Sequence, residues 1–265
     1  MNTIKYILGV ILSVPLLPIL YFQGKLIRKR VPSLPEAKGN EGLINKGANR
    51  ELRLISIGES TIAGVGVDTH NEGFTGAMAR ELATRFQTNI RWKVYAKSGY
   101  TAKKVVHKLI PKIEEKEVDI IVIGLGGNDA FTLNHPKRWG FHIIQLIKEL
   151  RGKFTNGIII FTNMPPIKEF PAFTWLIKFI IGNLVEILGQ ELEEVVINFE
   201  NVFYHAQTIT LKDWMEKMNV SAHPSDFFSD GVHPSKLTYQ TWAKDVSDFM
   251  MSNEEIKTKI KKQLQ

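Results

Sequence analysis

The stretch "VDIIVIGLGGND", residues 118–129, decides how this chain folds. From Ile120 to Leu125 it is apolar without a break, and it then gives way to two glycines, an asparagine and an aspartate. A strand with one wet face alternates apolar and polar residues. This one does not, so both of its faces are buried, as in a parallel sheet covered by helices on both sides. The polar end reads as a turn, because Gly, Asn and Asp favour turn geometry. Working outward, similar β-rich runs recur: "LRLISI" at 52–57, "RWKVYA" at 91–96, "GIIIFT" at 157–162 and "EVVINF" at 194–199. Helix-length segments separate them, at 72–86, 101–117, 136–151 and 172–193, and a last one runs from Pro234 to about residue 250. Five strands alternating with helices predict an α/β fold, a three-layer α/β/α sandwich with a five-stranded parallel sheet. Ligands bind such sheets at the carboxyl ends of the strands, so the residues just past each strand carry the functional information.

The bulk properties narrow the function. At 265 residues with 44% hydrophobic content, the chain is long enough for one substantial core. It has no cysteine, which excludes disulfides and thiolate metal sites. His135 and His142 lack a third ligand for zinc, and no metal is expected. Neither a G-x-x-x-x-G-K-[ST] loop nor a complete G-x-G-x-x-G follows a strand, so no nucleotide cofactor is expected. The net charge of +7 gathers in part between Lys25 and Arg30 and between Lys257 and Lys262. No RNP-like strand or zinc-finger spacing accompanies it, which argues against nucleic acid and for an anionic membrane surface.

The chain divides into residues 1–24 as a membrane anchor, 25–50 as a basic linker, 51–252 as the folded domain and 253–265 as a charged tail. Residues 6–22, "YILGVILSVPLLPILYF", run 17 positions without a charge, enough to span a bilayer as a helix kinked at Pro15 and Pro18. No small-x-small cleavage site follows, which favours an uncleaved single-pass anchor over a signal peptide. Lys25, Arg28, Lys29 and Arg30 place the domain on the cytoplasmic side by the positive-inside rule, with the periplasmic or extracellular side as the alternative.

Past the first strand comes "IGESTIAGVGV" at 57–67, with Ser60 among Gly58, Gly64 and Gly66. A serine at such a turn, just before a helix start, has an N–H free to face an anion. Past the second strand, Gly99 turns the chain in "AKSGYT"; past the third, Asn128 offers an amide for an oxyanion. Near the C-terminus, "DGVHP" sets Asp230 three residues before His233. Each signal alone also reads as ordinary turn chemistry. Their order is what matters. Over residues 52–250 the chain resembles the SGNH hydrolases, also called the GDSL esterase/lipase family. "IGES" resembles the family's G-D-S block, "SG" at Ser98 and Gly99 its glycine block, "GGND" its G-x-N-D and "DGVHP" its D-x-x-H. Glu59 departs from the usual aspartate, and Thr61 from the usual leucine.

The resemblance implies a serine ester hydrolase. Ser60 is then the nucleophile, His233 the general base and Asp230 its orienting acid. The oxyanion hole comprises the Ser60 N–H, the Gly99 N–H and the Asn128 side chain, with Asp129 a structural turn residue. An apolar helix at 170–189 lines an acyl groove, presses on a membrane or simply packs in the core. The partners implied are an acyl ester substrate, lipid-like or small, and a membrane; the oligomeric state is unknown. The same residues also serve an acyltransferase, a thioesterase or a catalytically silent, membrane-tethered binding protein.

Overall fold

The structure is a computed structural model and describes residues 2–219 and 221–264. Six strands form one sheet: β1 Glu41–Ile44, β2 Glu51–Gly58, β3 Asn89–Ala96, β4 Ile120–Gly124, β5 Ile158–Phe161 and β6 Val202–Tyr204. Their spatial order is β1-β3-β2-β4-β5-β6. Five are parallel, and β1 joins the edge antiparallel to β3. Around the sheet lie α1 Asn2–Ser13, α2 Leu17–Arg30, α3 Phe74–Phe86, α4 Ala102–Lys108, α5 Gly127–Phe131, α6 Pro136–Lys153, α7 Trp175–Val196, α8 Leu211–Met218, α9 Lys236–Ser252 and α10 Glu254–Gln263.

Strand alternation divides the core in two. Ile121, Ile123, Ile159 and Phe161 face one side with Trp139 of α6 and Leu188 of α7. Their neighbours Ile120, Val122, Ile158 and Ile160 face the other with Met78 of α3 and Val246 of α9. Successive side chains on a strand point to opposite faces, so an unbroken apolar run is what two covering layers require.

Three expectations are corrected. The sheet has six strands rather than five, because the expected linker supplies β1, and Gly42 lies directly against the Trp92 ring. The fifth parallel strand is residues 202–204, not 194–199. Burial from Glu191 onward runs in pairs, with Leu192, Val195 and Val196 buried and Glu193, Glu194 and Ile197 exposed. That period belongs to a helix, and the β-branched "VVI" closes α7 instead of opening a strand. Finally, the charged tail expected at 253–265 is helical over residues 254–263. They form α10, capped by the side chain of Asn253, which accepts from the Glu255 and Ile256 N–H groups. Ile256 and Ile260 are fully buried against the α9 side of the core. Two such side chains contribute about 1.5–3 kcal/mol each.

The N-terminal segment is helical throughout, with a 3-10 turn at Val14–Leu16 between α1 and α2, where Pro15 and Pro18 fall. It is long and apolar enough to cross a membrane. Here it lies along α7.

Candidate active site

β2 ends at Gly58, and the chain turns at once through Glu59 and Ser60. The turn is pinned to the neighbouring strand, since the Glu59 N–H donates to Gly124 O at 3.2 Å. It is closed by the Ala63 N–H on Glu59 O and the Val65 N–H on Ser60 O, at 2.8 and 3.1 Å. Ser60 is half-buried at its tip. Because β3, β2 and β4 are adjacent, the turns that follow them, which carry Gly99, Ser60 and Asn128, emerge side by side at the carboxyl edge.

Gly99 has φ +76°, a left-handed turn that glycine adopts without strain. Asn128 lies in α5, and its Nδ2 donates to Tyr100 O at 3.1 Å, which orients the amide. Among the described residues, the backbone N–H groups of Ser60 and Gly99 have no backbone acceptor.

Asp230 and His233 share the loop before α9. The Asp230 side chain is fully buried, and its Oδ1 accepts the Val232 and His233 N–H groups at 2.9 and 2.7 Å. Its Oδ2 faces His233 Nδ1 at 2.7 Å. An ionised aspartate can only accept, so a neutral imidazole opposite it carries its proton on Nδ1 and its lone pair on Nε2. The His233 side chain is 23% exposed. This loop meets the serine loop at Gly66, where φ is +108° and a Cβ would collide with Pro234 O and Ser229 Oγ. From α9, the Tyr239 hydroxyl donates to Val65 O at 2.8 Å. The residues flanking Ser60 and His233, namely Glu59, Thr61, Val232 and Pro234, line one cavity of about 50 Å³. Trp214 and Trp242 help make its walls apolar. No direct hydrogen bond joins Ser60 to His233 in this conformation; such bonds commonly tighten only when substrate is bound.

Glu59 has a role that its spacing alone did not reveal. Its buried carboxylate spans the start of α5, accepting the Gly127 N–H at 2.8 Å and the Asn128 N–H at 2.9 Å. The serine turn and the asparagine turn are thereby tied together. Burial pushes this carboxyl up to about 7, against the opposing pull of the two amides and with a smaller push from Asp129. A carboxyl raised in the fold stabilises most when protonated, below its unfolded value near 4.5, and that contribution is lost as pH rises through about 7. The shift corresponds to about 3 kcal/mol. Wild type should therefore lose stability relative to Glu59→Gln between about pH 5 and about pH 8. Denaturant unfolding of the two proteins across that window checks it; parallel curves would show that Glu59 does not titrate there.

Asp129 is buried and structural. It accepts the Ala102 N–H that opens α4, and Asn134 Nδ2, both at 2.8 Å. Burial raises its pKa. Two further histidines are buried. His205 stacks on Phe249 and faces Asp245 at 3.1 Å, while His70 packs under the serine loop near Gly64. His107 is exposed, and His223 caps the turn at Pro224–Phe227. His135 caps α6, and His142 within that helix meets Gln145. Among the described residues no cluster of three metal-ligating side chains occurs.

The sequence profile described as the GDSL-like Lipase/Acylhydrolase family matches residues 56–241. The chain belongs to that family. The match takes in Ser60, Gly99, Asn128, Asp230 and His233, and it ends inside α9. Among curated proteins no sequence matches significantly. Solved structures share the GDSL fold at low identity. One is TesA, 19% identical with a TM-score of 0.57, over 76% of this chain and 98% of that one. A lipolytic protein of the G-D-S-L family from Veillonella parvula is 14% identical with a TM-score of 0.56, over 76% and 100%. A family two carbohydrate esterase from Clostridium thermocellum is 16% identical with a TM-score of 0.55, over 76% and 64%. The mixed sheet and its covering helices are those of the SGNH hydrolase fold. At such identities this likeness concerns the fold and leaves the substrate to the site itself.

Proposed function

We propose that this GDSL-family protein is a serine ester hydrolase that removes a short acyl group by way of an acyl-enzyme. The observation that carries the reading is the Asp230–His233 pair, locked at 2.7 Å on a loop that packs on the serine turn. Ser60 Oγ attacks the ester carbonyl while His233 Nε2 takes the hydroxyl proton. The tetrahedral oxyanion is met by the Ser60 and Gly99 N–H groups and the Asn128 side-chain amide. His233 returns the proton to the leaving alcohol, and Asp230 stabilises the imidazolium in between. Water then repeats the sequence on the acyl-enzyme.

The apolar cavity beside Ser60 supports the choice of acyl group. At about 50 Å³ it is a fraction of the roughly 150 Å³ that accepts a benzene, which suits about two to four carbons. The N-terminal helix supports work at a membrane, and its basic end favours an anionic leaflet.

A p-nitrophenyl ester series from acetate to palmitate, run on the full chain in detergent, tests this. Rates should peak at acetate to butyrate, and a fluorophosphonate should label Ser60. No labelling and no turnover by folded protein would sink the hydrolase reading. A palmitate optimum would sink only the short-acyl assignment.

A further inference from the structure

We propose that the N-terminal helix lies flat on the bilayer, clamped along α7, so that one face of the catalytic domain rests on the lipid. The proposal builds on the membrane reading above and is independent of the ester chemistry.

The helix is tied to the domain at both ends. Asn2 Nδ2 donates to Glu194 Oε1 at 3.0 Å near the end of α7, and Thr174 Oγ1 at its start donates to Gln23 Oε1 at 2.7 Å. Between them, Lys5 Nζ donates to Gln190 Oε1 at 2.8 Å. The two therefore run antiparallel along the whole of α7, about 33 Å at 1.5 Å per residue. Helix α7 cannot leave the domain, because Leu188 and Leu192 belong to its core. A crossing helix would carry Asn2 through about 30 Å of hydrocarbon, away from Glu194. The clamped state and the crossing state exclude each other.

The polarity of the clamped helix is inverted. The half-buried positions Tyr6, Gly9, Ser13, Leu16, Leu20 and Gln23 recur every three or four residues, forming the seam toward the domain. Most of the helix's hydrogen-bonding side chains lie on or beside this seam. The outward face offers Ile4, Ile7 and Ile11, all exposed. A helix on a water-facing surface has the opposite arrangement. The apolar face continues onto the domain at Trp175 and Phe179, 75% and 52% exposed. It ends at the exposed cations Lys25, Arg28, Lys29 and Arg30, which suit anionic headgroups. An anionic lipid surface matches both the apolar face and its charged end.

The same face borders the active site. Tyr6 donates to Leu133 O, just past α5, and the Phe131 ring of α5 packs on Phe173 at 5.5 Å. From there the Ala172 N–H donates to Gly231 O, in the loop of Asp230 and His233. The helix is thus joined by direct contacts to the loop of Asp230 and His233.

The chain contains its own reporters. Of five tryptophans, Trp92, Trp139, Trp214 and Trp242 are buried, which leaves Trp175 as the lipid probe. Full-length protein would be bound to vesicles of equal phosphatidylcholine and phosphatidylglycerol with brominated acyl chains. Trp175 emission should be largely lost there, and Trp175→Phe should show little further quenching. Because the chain has no cysteine, Thr3→Cys and Lys262→Cys then report topology. In sealed membranes from an expression host, a membrane-impermeant maleimide should label both positions from the same side. Labelling on opposite sides, with the protein still membrane-bound, would show a crossing helix and overturn this proposal alone. Failure to float with vesicles, with a discrete dimer in solution, would assign the face to a second copy and overturn the membrane reading too.

Discussion

Replacing Ser60 by alanine should lower kcat for the preferred short ester by about a million-fold, with the fold unchanged. His233→Ala should cost nearly as much, and the double variant little more than either alone. In the proposed mechanism the two groups act as one unit: without a base the hydroxyl is a poor nucleophile, and without the hydroxyl the base has nothing to activate. Asp230 holds the imidazole by Nδ1 while its other oxygen is fixed by two amides, so the base is oriented before substrate arrives. Steady-state kinetics on the two single variants and the double variant provide the check. Losses that multiplied in the double variant would mean that Ser60 and His233 serve separate steps, and the triad assignment would fail.

Asn128→Ala should lower kcat by about a hundred- to a thousand-fold, corresponding to about 3–4 kcal/mol, while KM changes little. The Asn128 amide is held by Tyr100 O, and in the proposed mechanism it meets charge that develops only in the transition state. The backbone bond from Asn128 N–H to Glu59 survives the substitution, so the turn keeps its tie to the serine loop. Loss of the Tyr100 bond costs about 1 kcal/mol of stability, which a denaturant curve separates from the kinetic effect. A variant with undiminished kcat, or one changed only in KM, would remove Asn128 from the oxyanion hole.

The parallel sheet was legible because unbroken apolar runs such as Ile120–Gly124 have one physical solution in a folded domain, burial on both faces. The order of Ser60, Gly99, Asn128 and Asp230/His233 was legible for a related reason: such sites collect at strand ends, which can be located from the runs themselves. Edge features were harder to read. β1 is four residues of a polar, glycine-rich stretch, and it becomes a strand only because β3 has an unpaired edge beside it. The "VVI" closing α7 satisfies a strand and a helix equally in isolation, and the buried partners of Leu192, Val195 and Val196 decided for the helix. Ile256 and Ile260 sit among lysines and glutamates, and nothing local reveals that a core surface awaits them. A glutamate beside the serine looked like a mere departure from the family pattern, since its partners, the Gly127 and Asn128 N–H groups, lie 68 and 69 residues away.

By itself, then, the sequence determined the layered α/β architecture, the family and the residues proposed for the chemistry, because these rest on local periodicity and on the order of short motifs along one strand edge. Only the tertiary structure decided that Glu59 bridges the serine and asparagine turns, that α10 belongs to the core and that the apolar N-terminal helix lies on α7. Each of those depends on pairing between groups far apart in the chain, where burial and hydrogen bonding are settled by what the fold brings alongside.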